Sequence, residues 1–154
     1  MESEIKLSVR SRLVAAIIII IAAALVGGCG YFTAPSGALA RGRHDMTVGH
    51  YRQAMRRFRQ AAAKGNGDAM NNIGVLYDRG EGVPRDYAKA MAWFRKAAAK
   101  GDGLAMYAIG LDYYNGMGVP QDENKALTWM RRAEAAGGQA GVLARKALSL
   151  IKGR

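Results

Sequence analysis

Several residues in this 154-residue chain have the types and spacing of catalytic or ligand-binding groups. Ser3-Glu4-Ile5-Lys6 and Ser149-Leu150-Ile151-Lys152 both place a serine three residues ahead of a lysine, the arrangement of a serine nucleophile in some acyl-transfer enzymes. Neither is joined by the companion motifs such enzymes need, and both read as coincidence. His44 and His50 are six apart, which is not the i, i+4 spacing of a metal pair on one helical face, and no carboxylate cluster accompanies them. Gly80 with Gly82 and Gly116 with Gly118 have the form of a phosphate cradle, yet no strand pattern precedes them and no Gly-Lys-Ser/Thr follows, so they read as loop geometry. Cys29 is the single cysteine, which excludes an intramolecular disulfide and a cysteine-based metal site. The expectation is a chain with no catalytic residues, no cofactor and no metal.

Half of the residues are apolar and 23% are charged, enough for one modest globular or repeat domain. The net charge of +11 runs through most of the chain and favours anionic surroundings. Lys6, Arg10 and Arg12 precede an uninterrupted apolar run, Leu13 to Val26. Fourteen helical residues reach about 21 Å, short of the roughly 30 Å hydrocarbon core, so the run suits the apolar region of a signal peptide better than a full span. The sole cysteine follows directly, in "VGGC", which resembles a bacterial lipobox and makes Cys29 a candidate lipidation site. A lipoprotein is favoured over a single-pass anchor and over simple secretion. In each case the positive flank argues that the rest of the chain lies outside the cytoplasm, and the favoured reading places it anchored at the cell envelope, facing the periplasm or exterior. Nucleic acid is therefore not expected as a partner. Residues 1–28 are read as signal peptide or anchor, and 29–46, rich in Gly, Pro, Ser and charge, as a tether.

Beyond the tether the chain is periodic. Gly65–Lys100 and Gly101–Ala136 are identical at 18 of 36 positions without a gap, and Tyr51–Lys64 overlays Tyr87–Lys100. Each period carries two amphipathic segments. In the first, Ala69, Met70, Ile73, Gly74 and Tyr77 recur as Ala105, Met106, Ile109, Gly110 and Tyr113, one buried helical face. Between the segments, "RGEGVPRD" recurs as "NGMGVPQD". Glycines end the first helix, Pro84 and Pro120 block its continuation, and Asp86 and Asp122 are placed to cap the second. The second segment carries Trp93, Phe94 and Ala97, echoed by Trp129, Met130 and Ala133. The two tryptophans hold equivalent positions, which favours packing over ligand stacking. The spacing predicts an all-α chain, an α-solenoid of helix-turn-helix repeats of about 36 residues. It is divided into a partial repeat at 47–65, full repeats at 69–101 and 105–137, and an amphipathic capping helix at 139–152.

The pattern from Ala69 to Gly101 resembles the Sel-one-like repeat, a relative of the tetratricopeptide repeat with a longer inter-helix loop. The resemblance covers both full units and the end of the partial one, in which His44, Met46 and Val48 replace Gly, Gly and Pro, and Arg57 replaces the tryptophan. It implies a right-handed solenoid that works as an adaptor between proteins, often exported or tethered to the bacterial envelope. Cysteine-rich members have been credited with β-lactam hydrolysis, but their paired cysteines are missing here. The expected function is a non-catalytic protein–protein interaction scaffold tethered at the envelope. The alternatives are an envelope hydrolase and adhesion to anionic polymers.

Two candidate surfaces follow. Positions identical between repeats serve stacking, whereas positions that differ are free to serve a partner. Asn71, Val75 and Asp78 become Tyr107, Leu111 and Tyr114 at i, i+4, i+7 spacing on the first helix of each pair, which lines the concave groove in tetratricopeptide-like solenoids. These six residues form the candidate partner-binding groove. Arg52, Arg56 and Arg59 share one helical face and form a candidate basic surface, with Arg59 recurring as Arg95 and Arg131.

Overall fold

The computed structural model describes residues 37–153. Cys29 and the whole proposed signal segment lie outside the described residues, as does the tether as far as residue 36. Among the described residues there are seven α-helices and no strand: α1 (Ala38–Thr47), α2 (Tyr51–Ala63), α3 (Gly67–Arg79), α4 (Tyr87–Ala98), α5 (Gly103–Asn115), α6 (Glu123–Ala136) and α7 (Gly138–Lys152). Each helix packs on the next in sequence, and α7 also reaches α5. The result is three antiparallel hairpins, α1–α2, α3–α4 and α5–α6, closed by α7 as the capping helix.

The quoted loop is the hairpin turn, and its residues behave as their chemistry dictates. Gly80 and Gly116 end α3 and α5 in the left-handed conformation, φ 72° and 71°, which lets their N–H groups bond back to the carbonyls of Leu76 and Asp112. The Asp86 and Asp122 side chains accept hydrogen bonds from the N–H groups of Lys89 and Lys125, both at 2.9 Å, and start α4 and α6. Their own N–H groups reach back to the carbonyls of Tyr77 and Tyr113 and close the loop. Asn66 and Asp102 cap α3 and α5 in the same way, through Ala69 and Ala105. A Cβ on Gly82 would stand 2.7 Å from Tyr51, and one on Gly118 2.7 Å from Tyr87. The second glycine of each loop is therefore small because the loop presses on the preceding hairpin.

Within each hairpin a glycine faces a large apolar side chain on the second helix. Gly42 meets Phe58, Gly74 meets Phe94 and Gly110 meets Met130, so close that an added Cβ would lie 2.6, 2.5 and 2.8 Å away. Phe58, Phe94 and Met130 recur every 36 residues and are fully or almost fully buried, as are Ala54, Ala90 and Ala126. Burying each large side chain contributes about 1.5–3 kcal/mol, and the alanines let the helix backbones approach. On α7, Ala140, Ala144 and Leu148 are buried, as the amphipathic pattern requires.

One boundary differs from the sequence reading. The segment read as tether to residue 46 is helical from Ala38, so the first hairpin is complete rather than partial. Its turn is only Val48 to His50, four residues shorter than the turn of the later hairpins, so Gly42 takes the role of Gly74 at a separation of 32 rather than 36. Arg57, at the position of Trp93, makes an ion pair with Asp45, which is 7% exposed. A partly buried ion pair stands here where the later hairpins have an aromatic contact.

Candidate functional site

The six groove residues fall on corresponding faces of α3 and α5, but their environments diverge. Asn71 is buried, 9% exposed, so it is not a contact surface. Val75 is half-buried against the core of the first two hairpins, and Asp78 is half-buried. On α5, Tyr107, Leu111 and Tyr114 are half-buried and form one wall of an apolar cleft of about 430 Å³. Met130 lies at its base, and Leu143, Ala147, Leu150 and Ile151 of α7 form the other wall. The tyrosines thus pack partly against the capping helix and leave space between. Leu150, on the lip of the cleft, is 65% exposed.

The basic residues divide. Arg52, Arg56 and Arg59 are all exposed on α2, but Arg59 donates to the Tyr77 hydroxyl at 3.3 Å, and Arg95 makes the matching bond to Tyr113 at 2.9 Å. Each bond joins the second helix of one hairpin to the first helix of the next. The same tyrosine rings lie under Lys89 and Lys125, 5.8 and 5.5 Å from the centroid. Those lysines pair with Asp86 and Asp122. The hydrogen bond from the Lys89 side chain holds Asp86 below the usual carboxylate range, and the Lys125 backbone N–H does the same for Asp122. Arg59 and Arg95 are therefore clamps between repeats, exposed Arg131 makes no such bond among the described residues, and of the three α2 arginines Arg52 and Arg56 are left as an open basic face. Trp93 and Trp129 are half-buried against the core, each covered by a cation: Lys96 at 4.4 Å and Arg132 at 4.7 Å.

Sequence reasoning missed Asp112. It stands 36 residues after Leu76, a fully buried leucine, and is itself 5% exposed, with Oδ2 lacking any hydrogen-bond partner. Burial pushes its pKa up to about 7, and the nearby Asp78 carboxylate adds to the shift. The signal was a carboxylate at a position that is apolar one repeat earlier, which the comparison of repeats assigns to surface variation.

His44 and His50 are both exposed, and no group of three or more His, Cys, Asp or Glu comes together among the described residues. No helix among them is long and apolar enough to cross a membrane. What this geometry offers is an apolar, tyrosine-edged cleft between α5 and α7.

Comparison with known proteins agrees with this architecture. Residues 67–102 and 103–138 each match the Sel1 repeat. The chain matches none of the curated proteins with which it was compared. Among solved structures it is similar to a protective antigen present in uropathogenic Escherichia coli strains, described as displaying an SLR fold, at 33% identity and a TM-score of 0.61 over 66% of this chain and 22% of that one. It is also similar to a Sel1 repeat protein from Oxalobacter formigenes, at 35% identity and a TM-score of 0.58 over 64% of this chain and 42% of that one. The chain thus spans about a fifth of the first and two fifths of the second. Cysteine rich protein B of Helicobacter pylori shares the fold at 17% identity, with a TM-score of 0.55 over 71% of this chain and 99% of that one. The loop grammar, the 36-residue hairpin period and these matches agree: the chain carries two consecutive Sel1 repeats, residues 67–102 and 103–138, within an all-α array of helical hairpins.

Proposed function

We propose that this protein is a non-catalytic scaffold that recognises another protein through the cleft edged by Tyr107, Leu111 and Tyr114, that residues 1–28 export it as a cleaved signal peptide, and that a lipid on Cys29 tethers it at the cell envelope. Sel1-repeat proteins are in general interaction scaffolds, which supports the first half of the reading. The observation that carries it is the open apolar cleft itself: a stacked array buries such side chains when it has the means, and here Leu150 is left 65% exposed beside two tyrosines. The tether rests on the sequence alone, on Lys6, Arg10 and Arg12 ahead of the apolar run and on "VGGC" at its end. Arg52 and Arg56 support a second reading, adhesion to anionic envelope polymer, because both are exposed and make no ion pair among the described residues.

A photo-crosslinking residue in place of Leu111, in intact cells, tests the protein-binding reading. The expected result is a discrete cross-linked protein band from Leu111 and none from a control at exposed Thr128. Equal labelling from the two sites, or none from either, rejects it. Loss of surface binding with Arg52→Glu and Arg56→Glu, with the Leu111 band absent, would favour adhesion instead.

A further inference from the structure

The cleft has a polarity that follows from the repeat register. Leu143, Ala147 and Leu150 stand 36 residues after Tyr107, Leu111 and Tyr114, which stand 36 residues after Asn71, Val75 and Asp78. The same three positions on three successive first helices therefore run from two polar residues and a valine on α3 through tyrosine and leucine on α5 to wholly aliphatic on α7. Helix α7 occupies the place of a first helix, and no second helix follows it among the described residues. Its backward-facing positions keep the stacking pattern, since Ala144 and Leu148 bury against Met130 and Ala133. Its outward positions become Arg145, Lys146 and Ser149, all exposed. Lys146 corresponds to Gly110, which in α5 is pressed against Met130. With no helix to press on it, the lysine stands at the rim of the cleft.

Among the described residues Lys146 is the only charged one lining the cleft, and no carboxylate pairs with it. The adjacent acids are engaged or hidden: Glu134 is held by Arg145, and Asp112 is buried. From Tyr107 to Tyr114 and from Leu143 to Leu150 each wall rises by seven helical steps, about 10 Å, which is the reach of apolar side chains at i, i+4 and i+7 on an inserted helix. We propose, on the reading that this array binds protein, that the α5–α7 cleft takes an amphipathic helical segment of a partner protein whose apolar stripe is flanked by a carboxylate that pairs with Lys146. A second copy of this chain fits poorly, because α7 docking on α7 would set Lys146 against its own copy beside Arg145. A flat bilayer fits poorly as well, because the cleft lies between two helices and admits side chains one at a time.

Panning a displayed library of random 12-residue peptides over the purified full chain tests the proposal. Enriched peptides are expected to carry apolar residues at helical spacing with Asp or Glu beside them. Lys146→Glu should weaken their binding about ten-fold, and changing the peptide carboxylate to Lys should restore it on that variant, an exchange that no folding defect reproduces. Leu150→Glu, at a position already exposed, should also abolish capture with circular dichroism unchanged. The proposal is overturned if the enriched peptides lack acids, or if Lys146→Glu leaves binding unaltered. Concentration-dependent dimers abolished by Leu150→Glu, or vesicles of anionic lipid bound through the same cleft, also overturn it. If these tests fail while the Leu111 cross-link persists, the acidic helix falls and protein recognition by the array stands.

Discussion

Asp112→Leu should make the protein more stable at pH 8 and flatten its dependence on pH. The wild-type carboxyl is 5% exposed, one oxygen has no partner, and Leu76 fills the matching position in the previous repeat, so leucine has a shape the stack already accommodates. Burial raises the Asp112 pKa to about 7 from an ordinary value of 3.8. The folded chain then holds a proton that the unfolded chain has released at every pH between those values. The Asp112 contribution to stability is greatest below about pH 4, falls as pH rises, and reaches its floor above pH 7. At about 1.4 kcal/mol per pH unit, the full effect is about 4 kcal/mol, and about 3 kcal/mol of it falls between pH 5 and pH 8. Asp102 shifts in the same direction, also mainly through burial, and persists in the variant, so the difference between the two proteins isolates Asp112. Asp86 and Asp122 shift the other way and act below about pH 4, outside this window. Urea denaturation of both proteins at half-unit steps from pH 5 to pH 8 measures the effect. Parallel stability curves, or a variant less stable than wild type at pH 8, would refute the reasoning.

Three further outcomes are expected. Gly74→Ala drives a Cβ to 2.5 Å from the Phe94 ring and should lower stability by about 1–3 kcal/mol, measured by urea midpoint; Phe94→Leu in the same chain should recover part of that loss. Truncation after Gly137 removes α7 and uncovers Met130 with the α5 tyrosines, so thermal unfolding should lose cooperativity or give way to aggregation. Cys29→Ala should leave an uncleaved, unlabelled precursor, read by mass and by lipid labelling, because acylation of that side chain precedes cleavage.

What was legible in the sequence was what is local. Gly80, Gly82, Pro84 and Asp86 each act within a few residues of their own position, and their recurrence 36 residues later marks the hairpins without reference to anything distant. The first hairpin was not legible because its turn lacks that grammar. What holds α1 in place is the meeting of Gly42 with Phe58 and of Asp45 with Arg57, 16 and 12 residues apart on different helices. The shared face of Tyr107, Leu111 and Tyr114 on α5 followed from their spacing, and the structure places all three along one cleft. The same rule misplaced Asn71 and overlooked Asp112, because a position can vary between repeats and still be buried by its neighbour. Arg59 and Arg95 read as surface charge, since nothing local announces a tyrosine hydroxyl 18 residues downstream.

The most direct test of the central claim, that the α5–α7 cleft is the recognition surface, is the Leu111 cross-link measured in a Leu150→Glu background. Leu150 is 65% exposed, so the substitution should leave the melting temperature within a few degrees of wild type. The account predicts that the cross-linked band disappears while the melting curve is unchanged. A band of undiminished intensity in that stably folded variant would contradict it.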